Sequence, residues 1–231
     1  MSVNSGSVVS VYGELVASKK ERDLSGYLYD RKQYLIYKRA FDLILSSFFI
    51  ITVLSWLTPI LALLIRLNSR GPVFFLQKRV GKAGRIFTCY KFRTMILNRE
   101  ADSLQASDND IRITRVGRIL RKLNVDEFPQ FLNVLRGDMS IIGPRPHMQV
   151  DCDKFSNLIP EYEFRNLLRP GITGMAQIKG FAGPATSNES IFGRYQWDAF
   201  YIRNASFWLD LRILQKTFLQ EFYLMTMPER Y

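Results

Sequence analysis

At 231 residues, 47% of them hydrophobic, the chain has material for one good-sized core and is not a mainly disordered protein. Its formal net charge of +11 calls for an anionic partner, whether nucleic acid, lipid headgroup or phosphorylated small molecule, and charge alone does not choose among them. Cys89, Cys152 and the single His147 offer no metal-ligand spacing such as CxxC or HxxxH, and reduced thiols are the default.

Met1 to Ser10 lack the basic and apolar regions of a cleaved signal peptide, and the chain to about Leu24 reads as a polar tail without chemistry. Tyr27, Tyr29, Tyr34 and Tyr37 then alternate with Arg31, Lys32, Lys38 and Arg39. That composition suits the headgroup region of a bilayer, and also an ordinary amphipathic surface helix. Leu43 to Ile65 runs without a charge, and as a helix of about 35 Å it is long enough to cross a bilayer core. Thr58-Pro59 interrupts it where a missing N–H kinks a helix. Basic residues crowd both flanks, from Lys19 to Arg39 before and from Arg66 to Arg85 after, which places both ends on one side. The expected element is a re-entrant hairpin bent near Pro59, with the Ser55 and Thr58 hydroxyls serving backbone groups freed at the bend.

Gly71-Pro72 ends that element. Val73 to Val80 and Ile86 to Phe92, around Gly81-Lys82-Ala83-Gly84, predict a β-hairpin. Its Lys78, Arg79, Lys91 and Arg93 form either a solvated face or the lining of an anion site. Ile96 to Leu104 predicts a short helix, and the acids of Ser107 to Asp110 read as turn residues rather than a metal site.

Arg118 to His147 packs a basic run, the acid pair Asp126-Glu127 and a Gly-Pro-Arg-Pro turn into one stretch. Asp126 reads as a helix-opening acid before Pro129, with a helix from Phe128 to Leu135 stopped by Gly137. The positive end of its dipole would keep a carboxylate ionised and nucleophilic, and plain capping is the alternative. Beyond Pro146, Gln149 to Leu168 predicts one or two short helices interrupted at Pro160, Gly171 to Phe181 a turn and strand, and Ser187 to Asn204 a helix. Phe207 to Met227 places Trp208, Leu211, Phe218, Leu219 and Phe222 on one side of a helix, for core packing or interfacial docking. The fold class is α/β (α+β), mostly helical with a short hairpin. It divides into a tail (1–26), an interfacial and re-entrant membrane helix (27–70) and a catalytic domain (71–231).

Asp110 to Arg118, Leu120-Arg121-Lys122, Asp126 to Gln130, Asn133-Val134-Leu135, Gly137 to Ser140 and Gly143-Pro144-Arg145-Pro146 closely resemble the bacterial sugar transferase family. These are the monotopic polyprenyl-phosphate phosphoglycosyl transferases. The resemblance continues through Arg169 to Gly174, Gln77, Arg79, Gly81, Gly84 and Lys91 to Met95, and spans roughly Lys38 to Thr217. It implies attack of Asp126 on the sugar-linked phosphate of a UDP-sugar, release of UMP, and transfer of the phosphosugar to polyprenyl phosphate. Glu127 would contribute to a Mg²⁺ site, and the setting would be the cytoplasmic face of the bacterial inner membrane among its lipids.

The residues read the same way. An anionic nucleophile approaching a diphosphate needs cations to screen it, and Mg²⁺ with arginine is the common solution. Arg121 is the first choice for a phosphate contact. Arg145, fixed between Pro144 and Pro146, is the second, with Lys91, Arg93 and Arg112 behind them. Lys38, Arg39, Thr58 and Pro59 belong to the membrane anchor. Asn124-Val125 stands where the family usually has Ser-Leu, Ile111 replaces a usual Pro, Thr58 a usual Ser, and His147 a frequent Glu; His147 reads as a bystander rather than a base. The chain resembles the minimal catalytic form with an extended N-terminus. No nucleic-acid reading motif is present, and the sequence leaves a homodimer open.

Overall fold

The computed structural model describes residues 31–97, 110–183, 185 and 187–226. The tail, Tyr27, Tyr29, most of the helix expected over 96–104 and the loop before Asp110 lie outside the described residues. The chain forms two compact units, Met1–Lys38 and Arg39–Tyr231. In the first, Lys38 Nζ lies 5.9 Å above the Tyr34 ring.

The uncharged stretch forms one helix of 37 residues, Lys32–Asn68. It comprises α1 (Lys32–Phe49), a π turn (Ile50–Leu54) and α2 (Ser55–Asn68). The irregular turn lies upstream of Pro59, and hydroxyls satisfy the carbonyls around it: Thr52 Oγ1 donates to Phe48 O, Ser55 Oγ to Ile51 O and Thr58 Oγ1 to Leu54 O, at 2.6 to 2.7 Å. Along Arg39–Asn68, one stripe faces the second unit's interior. Asp42 accepts from Ser140 Oγ and Ile141 N at 3.0 Å, Phe49 stacks on Phe131 at 4.2 Å, and Leu54, Leu61 and Ile65 join a core with Val73, Phe92 and Leu120. The opposite face exposes Leu43, Ile44, Phe48, Ile51, Trp56, Ile60, Leu63 and Leu67.

Strands β1 (Phe74–Val80) and β2 (Ile86–Phe92) form the expected antiparallel hairpin, in register from Phe74 opposite Phe92 to Val80 opposite Ile86. Since side chains alternate along a strand, Phe75, Gln77 and Arg79 share a face with Lys91, Cys89 and Phe87 across from them. Helix α3 (Arg115–Lys122) is capped by Thr114 Oγ1, which accepts from Gly117 N at 2.9 Å. Any Cβ at Gly117 would meet Thr94 O at 2.0 Å, so only glycine lets α3 lie this close to the end of β2.

The acids sit differently from expectation. Asp126 and Glu127 belong to a separate 3₁₀ turn, Val125–Glu127, and α4 (Gln130–Arg136) begins only after Pro129. Proline has no N–H to continue the turn, so the helix starts afresh beyond it. Gly137, at φ +88°, ends α4 as expected.

Beyond α4, β3 (Ser140–Ile142) pairs in parallel with β4 (Gly171–Thr173), and α5 (Gln149–Leu158) and a 3₁₀ turn (Tyr162–Leu167) lie between them on either side of Pro160. The strand expected to reach Phe181 stops at Thr173, where its pairing with β3 ends, and Met175–Ile178 forms the short helix α6. Helix α7 (Asn188–Asn204) opens on a capping box at Ser187. The last helix, α8 (Phe207–Thr226), seats Asp210, Ile213 and Thr217 inward, with Thr217 Oγ1 2.7 Å from Thr173 Oγ1. Its predicted aromatic stripe faces outward: Trp208 is 72% exposed and Phe218 and Phe222 are each 67% exposed.

Candidate active site

A cleft of about 660 Å³ opens between the hairpin, α3, the acid-bearing turn and the Gly143–Pro146 turn. Asp126 lies on its wall, with Arg121, Lys91 and Arg145 also lining it. The turn is fixed from below by Asn133 on α4, which is wholly buried: its Oδ1 accepts from Tyr90 N at 2.9 Å and its Nδ2 donates to Thr88 O at 2.7 Å. One side chain thereby locks the acids to the strand that carries Lys91.

Glu127 is a charge-neutralised hub. Lys91 Nζ lies 2.7 Å from Oε1, and Arg145 grips both oxygens, with Nη2 2.6 Å from Oε1 and Nη1 3.1 Å from Oε2. Such a bidentate guanidinium is a strong, planar pairing. Burial pushes the Glu127 carboxyl up, but the charges and hydrogen bonds of Arg145 and Lys91 outweigh it and hold the group well below the usual range. Asp126, equally buried, has no such clamp. Burial pushes it up to about 6, Lys91 opposes the rise, and the Glu127 charge adds to it. The expectation that Asp126 is kept ionised by a helix start is not met, since it lies in a separate turn and burial raises it; the cations hold Glu127 ionised instead, and Asp126 is the more basic and less encumbered oxygen donor.

Arg121 lines the cleft, its Nε donating to Thr94 Oγ1 at 2.9 Å. Arg112 also lines the cleft and pairs with Asp110 at 2.6 Å; the Arg112 hydrogen bonds hold the Asp110 carboxyl down at about 2. Arg93 lines the wall but spends its guanidinium on Ser69 O at 2.6 Å and Arg70 O at 2.8 Å, closing the chain at the end of α2. Arg39 caps α4 through Val134 O and Leu135 O. Pro144 and Pro146 hold their turn through backbone oxygens, Pro144 O accepting from Gly171 N at 2.9 Å and Pro146 O from Arg79 Nη1 at 3.2 Å. Thr58 and Pro59 lie on α2, remote in sequence from the acids. Among the described residues no group of three or more His, Cys, Asp or Glu side chains gathers as a ready-made metal cage.

A model of the bacterial sugar transferase family matches residues 33–223. The chain belongs to the bacterial sugar transferase family. Relatives within it include the UDP-N-acetylgalactosamine-undecaprenyl-phosphate N-acetylgalactosaminephosphotransferase of Aeromonas hydrophila, 48% identical over 80% of this chain and 43% of the relative. The UDP-glucose:undecaprenyl-phosphate glucose-1-phosphate transferase of Klebsiella pneumoniae is 41% identical over 81% of this chain and 40% of its own length. The exopolysaccharide production protein PSS of Rhizobium leguminosarum bv. phaseoli is 44% identical over 81% of this chain and 96% of its own. The match thus spans less than half the length of the first two relatives.

In this family member several site-forming residues carried no local signal in the sequence. Arg165 and Asp198, 33 positions apart, form a buried ion pair at 2.7 Å, and Arg165 Nη2 also donates to Arg145 O at 2.6 Å, fixing the backbone that presents Arg145. His147 is a neutral brace: its Nδ1 meets Tyr162 Oη, its Nε2 lies 3.1 Å from Arg194 Nη1, and burial beside Arg165 and Arg194 holds its pKa well below the ordinary value. Only a fold that brings these distant positions together reveals the network.

Proposed function

We propose that this protein is a phosphoglycosyl transferase that moves a sugar 1-phosphate from a UDP-sugar to polyprenyl (undecaprenyl) phosphate at a membrane surface, initiating synthesis of a surface polysaccharide or glycoconjugate. The activities for which the Aeromonas and Klebsiella relatives are named support the substrate class. The observation that carries the chemistry is the adjacent acid pair, Glu127 clamped by Lys91 and Arg145 and Asp126 on the cleft wall, unclamped and with a raised pKa.

In the first half-reaction an Asp126 carboxylate oxygen attacks the phosphorus bearing the sugar. The bond from that phosphorus to the bridging oxygen of the diphosphate breaks, and UMP leaves with the electron pair. In the second, a phosphate oxygen of the polyprenyl phosphate attacks the same phosphorus, the acyl-phosphate bond breaks, and Asp126 returns as carboxylate. Arg121, Arg145 and Lys91, which line the cleft with Asp126, hold the phosphoryl oxygens.

The donor set fits a Mg²⁺ ion carried on the diphosphate. Glu127 Oε1 takes two N–H donors and Oε2 one, which leaves a lone pair on Oε2, and Mg²⁺ ordinarily needs only one or two carboxylates beside phosphate and water. Glu127 would hold the ion, which when bound supplies further neutralisation of the diphosphate.

The membrane reading rests on the 37-residue helix and its exposed apolar face. Within the second unit, Arg39 and Asp42 near one end of this helix and Leu61 and Ile65 near the other all pack against the residues that follow it, which supports a re-entrant anchor with both ends on the cytoplasmic face of the inner membrane.

Detergent-solubilised protein given Mg²⁺, polyprenyl phosphate and a panel of UDP-sugars should release UMP, and Asp126→Asn, folded, should not. Release of UDP instead would make the protein a glycosyltransferase, and silence across the panel would leave the phosphosugar reading without support.

A further inference from the structure

The turn that carries the acids has a second tether, distant in sequence and outside the clamp on Glu127. Asn124 sits between α3 and the Val125–Glu127 turn in the left-handed region, at φ 50° and ψ 17°. Its N–H donates to Arg121 O at 3.1 Å, and its carbonyl accepts from Glu127 N at 3.2 Å. The conformation of this one residue therefore sets the direction in which the chain leaves α3 and presents Asp126 two positions on.

A left-handed Asn after a helix is ordinary, because its short polar side chain tolerates that region better than most. Here the side chain does something more. Asn124 Nδ2 donates to Glu221 Oε1 at 2.9 Å, across 97 positions. Glu221 stands in the second half of α8, a helix that is itself seated firmly: Tyr201 Oη donates to Asp210 Oδ1 at 2.7 Å, Thr217 meets Thr173, and Gln220 Nε2 donates to Ile178 O at 3.0 Å. Three anchor points along α8 thus hold Glu221 as a fixed post for the turn.

We propose that Glu221 is a positioning residue for the nucleophile, acting through Asn124: the last helix holds the left-handed residue that aims Asp126 into the cleft. The assignment rests on the phosphosugar-transfer reading for its kinetic consequence and on the structure alone for the contact. The hydrogen bond is exposed, so it adds little to global stability, and its effect falls on the orientation of a turn that the Asn124 backbone already commands.

The test is a double-mutant cycle on the full chain. Asn124→Gly keeps the left-handed backbone and removes the amide; Glu221→Ala removes the acceptor; Glu221→Gln keeps an acceptor oxygen and removes the charge. UMP release is expected to show kcat down about fivefold in Asn124→Gly and in Glu221→Ala, roughly the net worth of one exposed hydrogen bond, with the UDP-sugar KM nearly unchanged. The double variant should be no slower than either single, and Glu221→Gln should recover most of the rate. Multiplying losses in the double variant, or singles that match wild type, would overturn the assignment. Amide hydrogen exchange on the same proteins gives a readout independent of activity. Exchange at residues 125–128 should quicken in Asn124→Gly and Glu221→Ala and return to wild type in Glu221→Gln; unchanged exchange in both would likewise overturn it. If the wild type itself releases no UMP, the phosphosugar reading fails and the exchange measurement still judges the pair.

Discussion

Two neighbouring carboxylates with opposite electrostatic treatment divide the labour at the cleft. Glu127 is held ionised by Lys91 and Arg145, whereas burial lifts Asp126 to about 6. A folded-state pKa above the unfolded value means the folded protein holds the proton more tightly. The stability Asp126 contributes is therefore greatest below the ordinary carboxyl range and is lost as pH rises through about 6. At neutral pH an ionised Asp126 strains the fold, so Asp126→Asn is expected to abolish UMP release and yet melt several degrees above wild type, read by thermal denaturation. In wild type, kcat/KM should fall as pH is lowered through about 6, where the attacking oxygen becomes protonated. Arg145→Lys keeps the charge but loses the two-pronged grip on Glu127, and a drop of about 10- to 100-fold in kcat/KM is expected. The acid pair and its candidate cations were legible as a dense motif between Arg118 and His147. Which acid the cations clamp was not, because Lys91 and Arg145 reach Glu127 from positions 36 and 18 residues away.

Secondary elements repeat the pattern. β-Branched and aromatic runs on either side of Gly81-Lys82-Ala83-Gly84 marked the hairpin, and a helical pattern marked α7, since both signals are local. The π turn at Ile50–Leu54 and the 3₁₀ turn at Val125–Glu127 left no such mark, because each depends on tertiary packing: Phe49 against Phe131 in one case, and Asn133 against β2 in the other. Asn133→Ala would remove the two hydrogen bonds that tie a wholly buried α4 side chain to Tyr90 N and Thr88 O. It is expected to lower stability by about 1–3 kcal/mol in denaturant titration, with activity reduced because the acid turn loosens against β2. For α8, the sequence put the aromatics on one side correctly, but periodicity cannot say which side is buried. The polar Asp210 and Thr217 take the inward face through specific partners, and the aromatics are left outside.

Size, charge balance and the uncharged stretch together indicated a basic protein with a long apolar element, and the long helix with its exposed apolar face agrees with that much. What composition could not convey is how the two are joined. Leu54, Leu61 and Ile65 from the helix share a core with Val73, Phe92 and Leu120, and Phe92 ends the strand that carries Lys91. A protein cut after Asn68, made in the hope of a freely soluble fragment, would expose that core and lose Asp42 and Arg39, leaving Ser140, Ile141, Val134 and Leu135 without them. It is expected to collect in inclusion bodies, or to show expanded, dye-binding behaviour when refolded. The helix is thus a wall of the fold as well as an apolar surface, and a gene fusion that exchanged it for an unrelated helix would have to rebuild that interior along with it.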